Sequence, residues 1–216
     1  MIVEFFGLPG TGKTTYKTML LAQYPQRTAS LTEPKRILTA TYLPFLLTKE
    51  WLAFFGSLLR LWVKKKPKAK YDLRAVYGFC RWYLRYMEHR RKDDGTLYLC
   101  DHGLIQCISS IVWDDPDGVA LAAPVLRQIS RCFGGSVLFL SLEETDDRRL
   151  YERIRTRAFD VRLKHFSEED ACRVLDRQRE LFASAQQALQ ADRVLPVSGD
   201  APLEENYRNI CTFLHL

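Results

Sequence analysis

The stretch Ile2-Val3-Glu4-Phe5-Phe6-Gly7-Leu8-Pro9-Gly10-Thr11-Gly12-Lys13-Thr14-Thr15 decides the fold. Ile2–Phe6 is a short run rich in β-branched and aromatic residues, and it stops at Gly7, so it reads as a buried strand. Gly7–Thr14 then fits GxxxxGK[ST], the phosphate-binding P-loop. Its glycines let the backbone curl until successive N–H groups point at phosphate oxygens. The helix predicted over Thr14–Gln23 adds its positive N-terminal end. The pattern alone has false positives; a strand before it and a helix after it supply the context it requires. On this reading Gly7, Pro9, Gly10, Thr11, Gly12, Lys13, Thr14 and Thr15 bind a nucleoside triphosphate. Lys13 reaches its β- and γ-phosphates, and the Thr14 hydroxyl ligates Mg²⁺.

Working outward, Arg27–Leu31 is a weak second strand, ending in Thr32-Glu33-Pro34, where the proline favours a turn. Leu43–Val63 reads as one helix, Lys64–Lys70 as a basic loop, and Asp72–Arg91 as a long helix closed by Asp93-Asp94-Gly95. Thr96–Asp101 is a strand ending on an acid. Short helical segments follow, with a loop at Trp113–Gly118. Ser136–Leu142 is another buried strand. Thr145–Arg157 and Ser167–Gln190 are helical, and Ser167 with Glu168, Glu169 and Asp170 behind it makes a good helix start. Arg193–Val197 is a last strand and Pro202–Leu214 a last helix. Continuous apolar strands alternating with helices are buried on both faces, so the sheet is parallel. The expected class is α/β: a P-loop NTPase three-layer sandwich with a parallel sheet of about five strands, helices on both faces and an arginine-rich lid. Residues 1–216 are expected to form one domain, with an apolar and basic insertion at 43–70 and the lid at 145–166.

The 216 residues are 47% hydrophobic and 27% charged, enough for one sizeable core and unlike a disordered chain. The net charge of +6 suits anionic ligands without choosing among them. Six cysteines, none paired as CxxC, read as free thiols in a reducing cytosol and show no zinc signature. No signal peptide is expected ahead of a strand that starts at residue 2. No apolar run reaches the roughly 18 residues of a membrane span. The expected location is the cytoplasm.

Further residues carry chemistry. Asp101 ends a strand, and strand C-termini line the ligand crevice of such sheets. Its carboxylate would hold Mg²⁺ or accept a proton from the attacking hydroxyl; the plain alternative is a loop aspartate. Glu33 ends the second strand and would face the acceptor, or be a solvated turn carboxylate. Arg148, Arg149, Arg153, Arg155 and Arg157 crowd one segment. Arginine forks match phosphate oxygens, and Arg153 and Arg157 lead as phosphate clamps; a solvated basic face is the alternative. Trp51, Phe54, Phe55, Leu58, Leu59 and Trp62 form a stripe at helical spacing. It is either core or, beside Arg60 and the Lys64–Lys70 lysines, a helix seeking an anionic membrane surface.

These residues together resemble the P-loop kinases of the thymidylate kinase and deoxynucleoside kinase type. Leu31-Thr32-Glu33-Pro34 is similar to their acidic turn after the second strand. Tyr98-Leu99-Cys100-Asp101-His102-Gly103 is similar to their strand ending in an acid. Arg153-Ile154-Arg155-Thr156-Arg157 resembles their arginine-rich lid, and Val197–Glu204 their last strand and helix start. Asp101-His102-Gly103 departs from both families, which carry a phosphate-contacting arginine directly after the acid. The Leu43–Lys70 insertion is also more apolar and more basic than a nucleoside pocket requires.

The resemblance implies a kinase that takes ATP and Mg²⁺ and transfers the γ-phosphate to a small-molecule acceptor of nucleotide or nucleoside type. Lys13, Asp101, Glu33, Arg153 and Arg157 would be catalytic, and Thr14 and Asp101 would hold the metal. Arg81 and Arg85, four apart on one helix, would line the acceptor pocket. Two alternatives stay open: a sugar or lipid-linked acceptor, with residues 43–70 on the inner membrane face, and a regulatory NTPase that is no kinase. Nucleic acid is not an expected partner, because the basic residues lack interleaved aromatics. A homodimer is compatible with the sequence.

Overall fold

In the computed structural model, residues 1–32, 43–65, 70–90, 92, 94–113, 115–156 and 162–216 are described. β1 (Ile2–Gly7), β2 (Thr28–Ser30), β3 (Leu97–Cys100), β4 (Val137–Glu143) and β5 (Val194–Ser198) form one sheet in the order β2-β3-β1-β4-β5. Every pairing is parallel. β1 lies at the centre, with Glu4 opposite Cys100 on β3 and Gly7 opposite Leu142 on β4. All six of its residues are buried.

Alternation along β1 feeds two apolar layers. Val3 and Phe5 pack with Leu20 of α1 (Lys13–Gln23) and Ile210 of α9 (Leu203–Phe213). Ile2 and Phe6 face the larger layer, built with α4 (Lys70–His89), α5 (Leu104–Val112), α6 (Gly118–Phe133) and α8 (Glu168–Ala188). Helices therefore cover both sheet faces, and a strand with no solvent face needs no polar alternation. Ser167 caps α8 by accepting from the Asp170 N–H at 3.1 Å. All six cysteines are free, and burial pushes the Cys80 thiol up to about 12.

The insertion departs from the expected single helix. It breaks into α2 (Leu43–Leu46) and α3 (Lys49–Lys64), because the Thr48 hydroxyl caps the second piece by accepting from the Trp51 N–H at 3.2 Å. The anticipated basic loop is also shorter. Lys64 ends α3, Lys70 begins α4, and Lys65 is fully buried, while residues 66–69 lie outside the described ones. The aromatic stripe divides. Trp51, Phe54, Leu58 and Leu61 are core, with Phe54 4.0 Å from the Tyr83 ring. Leu52, Phe55, Leu59 and Val63 form a second row exposed at 61%, 39%, 46% and 55%. Among the described residues no helix is long and apolar enough to cross a membrane.

Candidate active site

β1 ends at Gly7, and the chain curls through Leu8–Gly12 before α1 starts. Gly12 caps α1 in left-handed backbone (φ 91°) with no side-chain hydrogen bond to the first turn. The helix thus turns its N-terminal N–H groups and positive end toward the loop. Thr11 ties the curl by donating its hydroxyl to the Leu8 carbonyl at 2.9 Å. The Lys13 ammonium folds into the mouth and donates to the Gly7 and Leu8 carbonyls at 2.8 and 2.7 Å. Pro9 and Gly10 are half-buried, and Thr14 and Thr15 face outward.

Asp101 leaves β3, the strand beside β1, and reaches the same mouth. Its Oδ2 accepts from the Thr14 hydroxyl at 2.9 Å, and its Oδ1 from the Lys17 ammonium at 2.8 Å. Burial works against its charge, but the Lys17 ammonium and Thr14 hydroxyl outweigh it and hold the carboxyl below its ordinary range. A hydroxyl and a carboxylate in contact at a phosphate loop suit Mg²⁺, a hard cation that takes one or two protein oxygens and completes its shell with phosphate and water. Among the described residues no group of three or more His, Cys, Asp and Glu could hold a metal, so phosphate and water would have to supply those remaining ligands.

The arginines approach from the other side of β1. α7 (Asp147–Arg155) follows β4. Arg153 donates to the Gly10 carbonyl at 3.2 Å and pairs with Glu144 at 3.3 Å. Arg149, one turn earlier, pairs with the same carboxylate at 3.6 Å. The Glu144 side chain is 1% exposed, so it is a buried charge shared by two half-exposed arginines at the edge of the P-loop. Arg179 of α8 ties the start of α7 down through Asp147. Arg148 pairs outward with Glu152, as a solvated face would, and Arg155 lies over the Tyr151 ring.

The structure brings Lys13, Thr14, Asp101 and Arg153 to one mouth. Glu33 and Arg157 lie outside the described residues. Arg85 donates to Glu88 on its own helix, and Arg81 lies over Tyr77. Three groups escaped the sequence reading: Lys17, Glu144 and Arg179. Lys17 had a local signal, since it falls four residues after Lys13 and three after Thr14 on one helix face. Glu144 and Arg179 had none, because their partners come from other elements.

The sequence matches no protein-family model, and no curated protein matches it. Solved structures do match in shape. Deoxyadenosine kinase from M. mycoides with bound dATP superposes at a TM-score of 0.58, with 11% identity, covering 100% of both chains. The same enzyme with the products dCMP and a flexible dCDP gives 0.58 at 12% identity, covering 100% of this chain and 99% of that one. With bound dCTP it gives 0.55 at 11% identity, with the same coverage. The likeness runs the length of both chains while the sequences have diverged, and it fixes the architecture: this chain has the P-loop deoxynucleoside kinase-like fold.

Proposed function

We propose that the chain is an ATP- and Mg²⁺-dependent phosphotransferase of the cytoplasm, acting on a nucleoside or nucleotide-type acceptor. One observation carries the reading: Asp101, arriving from a neighbouring strand, meets the Thr14 hydroxyl at 2.9 Å in the mouth of the P-loop. A loop that only bound phosphate would need no carboxylate there. Nucleotides bound in the M. mycoides structures of the same fold support the acceptor class.

In this reading the P-loop amides and Lys13 hold the β- and γ-phosphates. Mg²⁺, held by Thr14 and Asp101, would neutralise charge on the transferring group. Arg153 and Arg149 swing from Glu144 to the phosphates, Arg157 closes behind them, and the closed lid excludes water. Glu33 orients the acceptor, and either it or Asp101 takes the hydroxyl proton. Phosphoryl transfer asks mainly for such positioning and charge, which these residues can supply.

The test is transfer from [γ-³²P]ATP to a panel of nucleosides, nucleoside monophosphates, sugars and polyprenols. At least one nucleoside or nucleotide should be labelled, and Arg153→Met should slow that labelling about 10²- to 10³-fold. A panel that stays unlabelled ends the kinase reading.

A lipid-linked acceptor at a membrane surface is the second reading, favoured by the exposed row Leu52, Phe55, Leu59 and Val63. Exposed Lys49, Arg60 and Lys64 lie on the same helix. Apolar side chains beside cations match an anionic bilayer. Vesicles of phosphatidylcholine with phosphatidylglycerol should float the wild type, and Leu59→Glu with Val63→Glu should leave it at the bottom of the gradient. Absence of the wild type from the floating fraction removes this reading.

A further inference from the structure

Glu4 lies in the middle of β1, three residues before the P-loop begins, and is fully buried. A carboxylate has no place in an apolar layer unless its oxygens are used. Both are. Oε2 accepts from the Tyr86 hydroxyl of α4 at 2.8 Å, and Oε1 accepts from the Ile105 N–H in the first turn of α5 at 2.7 Å. Burial nonetheless pushes its carboxyl up to about 7.

α5 starts immediately after the Asp101-His102-Gly103 turn, and Gly103 at its N-cap offers no side chain. The reason is steric. A Cβ at 103 would fall 2.3 Å from the Tyr86 oxygen and 2.4 Å from the Glu4 carboxyl carbon. The usual capping residue is excluded by the Glu4–Tyr86 pair, and Glu4 does the capping from the adjacent strand instead. Cys100, the last residue of β3 before Asp101, sits opposite Glu4 in the sheet. The turn that carries Asp101 is therefore held at both ends: by sheet register before it and by Glu4 after it.

We propose that Glu4 is a positioning residue, which fixes the Asp101–Gly103 turn and so aims Asp101 at the metal site beside Thr14. The inference rests on the reading of Asp101 as a Mg²⁺ carboxylate. It also accounts for the glycine at 103: the space beside it is occupied by a buried carboxylate and a phenol, and glycine is what fits.

The experiment measures the affinity of the full chain for the ATP analogue AMP-PNP with and without Mg²⁺. Metal-free binding draws on Lys13 and the P-loop amides, whereas the gain from Mg²⁺ needs Asp101 in place. Glu4→Met should lose about tenfold of that gain, the range for groups that orient a metal's ligands, and keep its metal-free affinity within about twofold. Glu4→Gln can still accept from Ile105 and hydrogen-bond Tyr86, so it should restore most of the gain. A merely structural role would lower the melting temperature and leave the Mg²⁺ gain whole; a whole gain in folded Glu4→Met overturns the proposal. Should that variant not fold, Tyr86→Phe carries the test: it strips one of the two anchors, and a gain equal to wild type there overturns the proposal as well. A wild type indifferent to Mg²⁺ overturns it too. A wild type that gains from Mg²⁺ but labels nothing in the acceptor panel defeats the kinase reading and leaves the Glu4 result standing.

Discussion

Lys13→Ala is expected to slow phosphate transfer about 10²- to 10³-fold, the cost of removing one preorganised charge-stabilising donor from a site closed to water. The ammonium now bridges the Gly7 and Leu8 carbonyls, so it already sits in the mouth that the β- and γ-phosphates would enter. The same location predicts a small structural effect. Lys13 is only half-buried, and water can satisfy the two carbonyls it leaves. Steady-state kinetics with the labelled acceptor, run beside a thermal melt, separate the two. Transfer within threefold of wild type, from a protein with an unchanged melting temperature, would discard the assigned role of Lys13.

Gly7→Ala should have the largest effect on stability. A Cβ there would lie 2.2 Å from the Leu142 carbonyl oxygen of β4, and the backbone stands at φ +139°. Neither atom can step aside, because Gly7 and Leu142 are register partners in the central pairing of the sheet. Backbone strain and overpacking together amount to about 3–5 kcal/mol, a large part of a total stability of order 5–15 kcal/mol. At about 2–4 °C per kcal/mol for a chain this size, the melting temperature should fall by roughly 6–20 °C. Gly10→Ala is the control for backbone strain alone: it also stands at positive φ (+94°), but its nearest contact is the end of the Leu150 side chain at 3.3 Å, which can move, so its melting temperature should fall by less. A Gly7→Ala protein melting within about 2 °C of wild type would mean that β1 and β4 are not joined as described.

Much of the architecture was legible because it is written locally. The P-loop announces a strand before it and a helix after it, and the short apolar runs at Thr96–Asp101 and Ser136–Leu142, rich in β-branched and aromatic residues or bounded by glycine, read as strands. Capping was half legible. Ser167 ahead of three acids was recognisable, whereas Thr48 stood inside a run so apolar that its power to split a helix was masked. That run also hid which face of α3 is core. With large apolar residues on most of the helix, spacing cannot choose a side, and the choice is made by Tyr83 and α6 from distant parts of the chain.

The site divides in the same way. Lys13 and Thr14 follow from the motif, and Asp101 from its place at the end of a strand. Its place beside Thr14 follows from the metal role the two were expected to share; its ion pair with Lys17, 84 residues away on α1, does not follow. Glu4 reads in sequence as a polar interruption of a strand. Its meaning depends on Tyr86 and Ile105, 82 and 101 residues away. Glu144 likewise looks like one of several acids before an arginine cluster, until burial shows that Arg149 and Arg153 share it.

The strand order has a consequence for biosynthesis. β1 is made before both of its sheet neighbours: β3, from residue 97, and β4, ending at residue 143. At about 5–20 residues per second, roughly seven to thirty seconds pass between the emergence of β1 and that of its second partner. Until β3 emerges the P-loop strand has both edges unpaired, and until β4 emerges one edge stays open, the condition that invites aggregation. The phosphate loop thus cannot be set by its own local sequence during translation. A nascent chain halted before β4 would carry the complete motif without the sheet that shapes it.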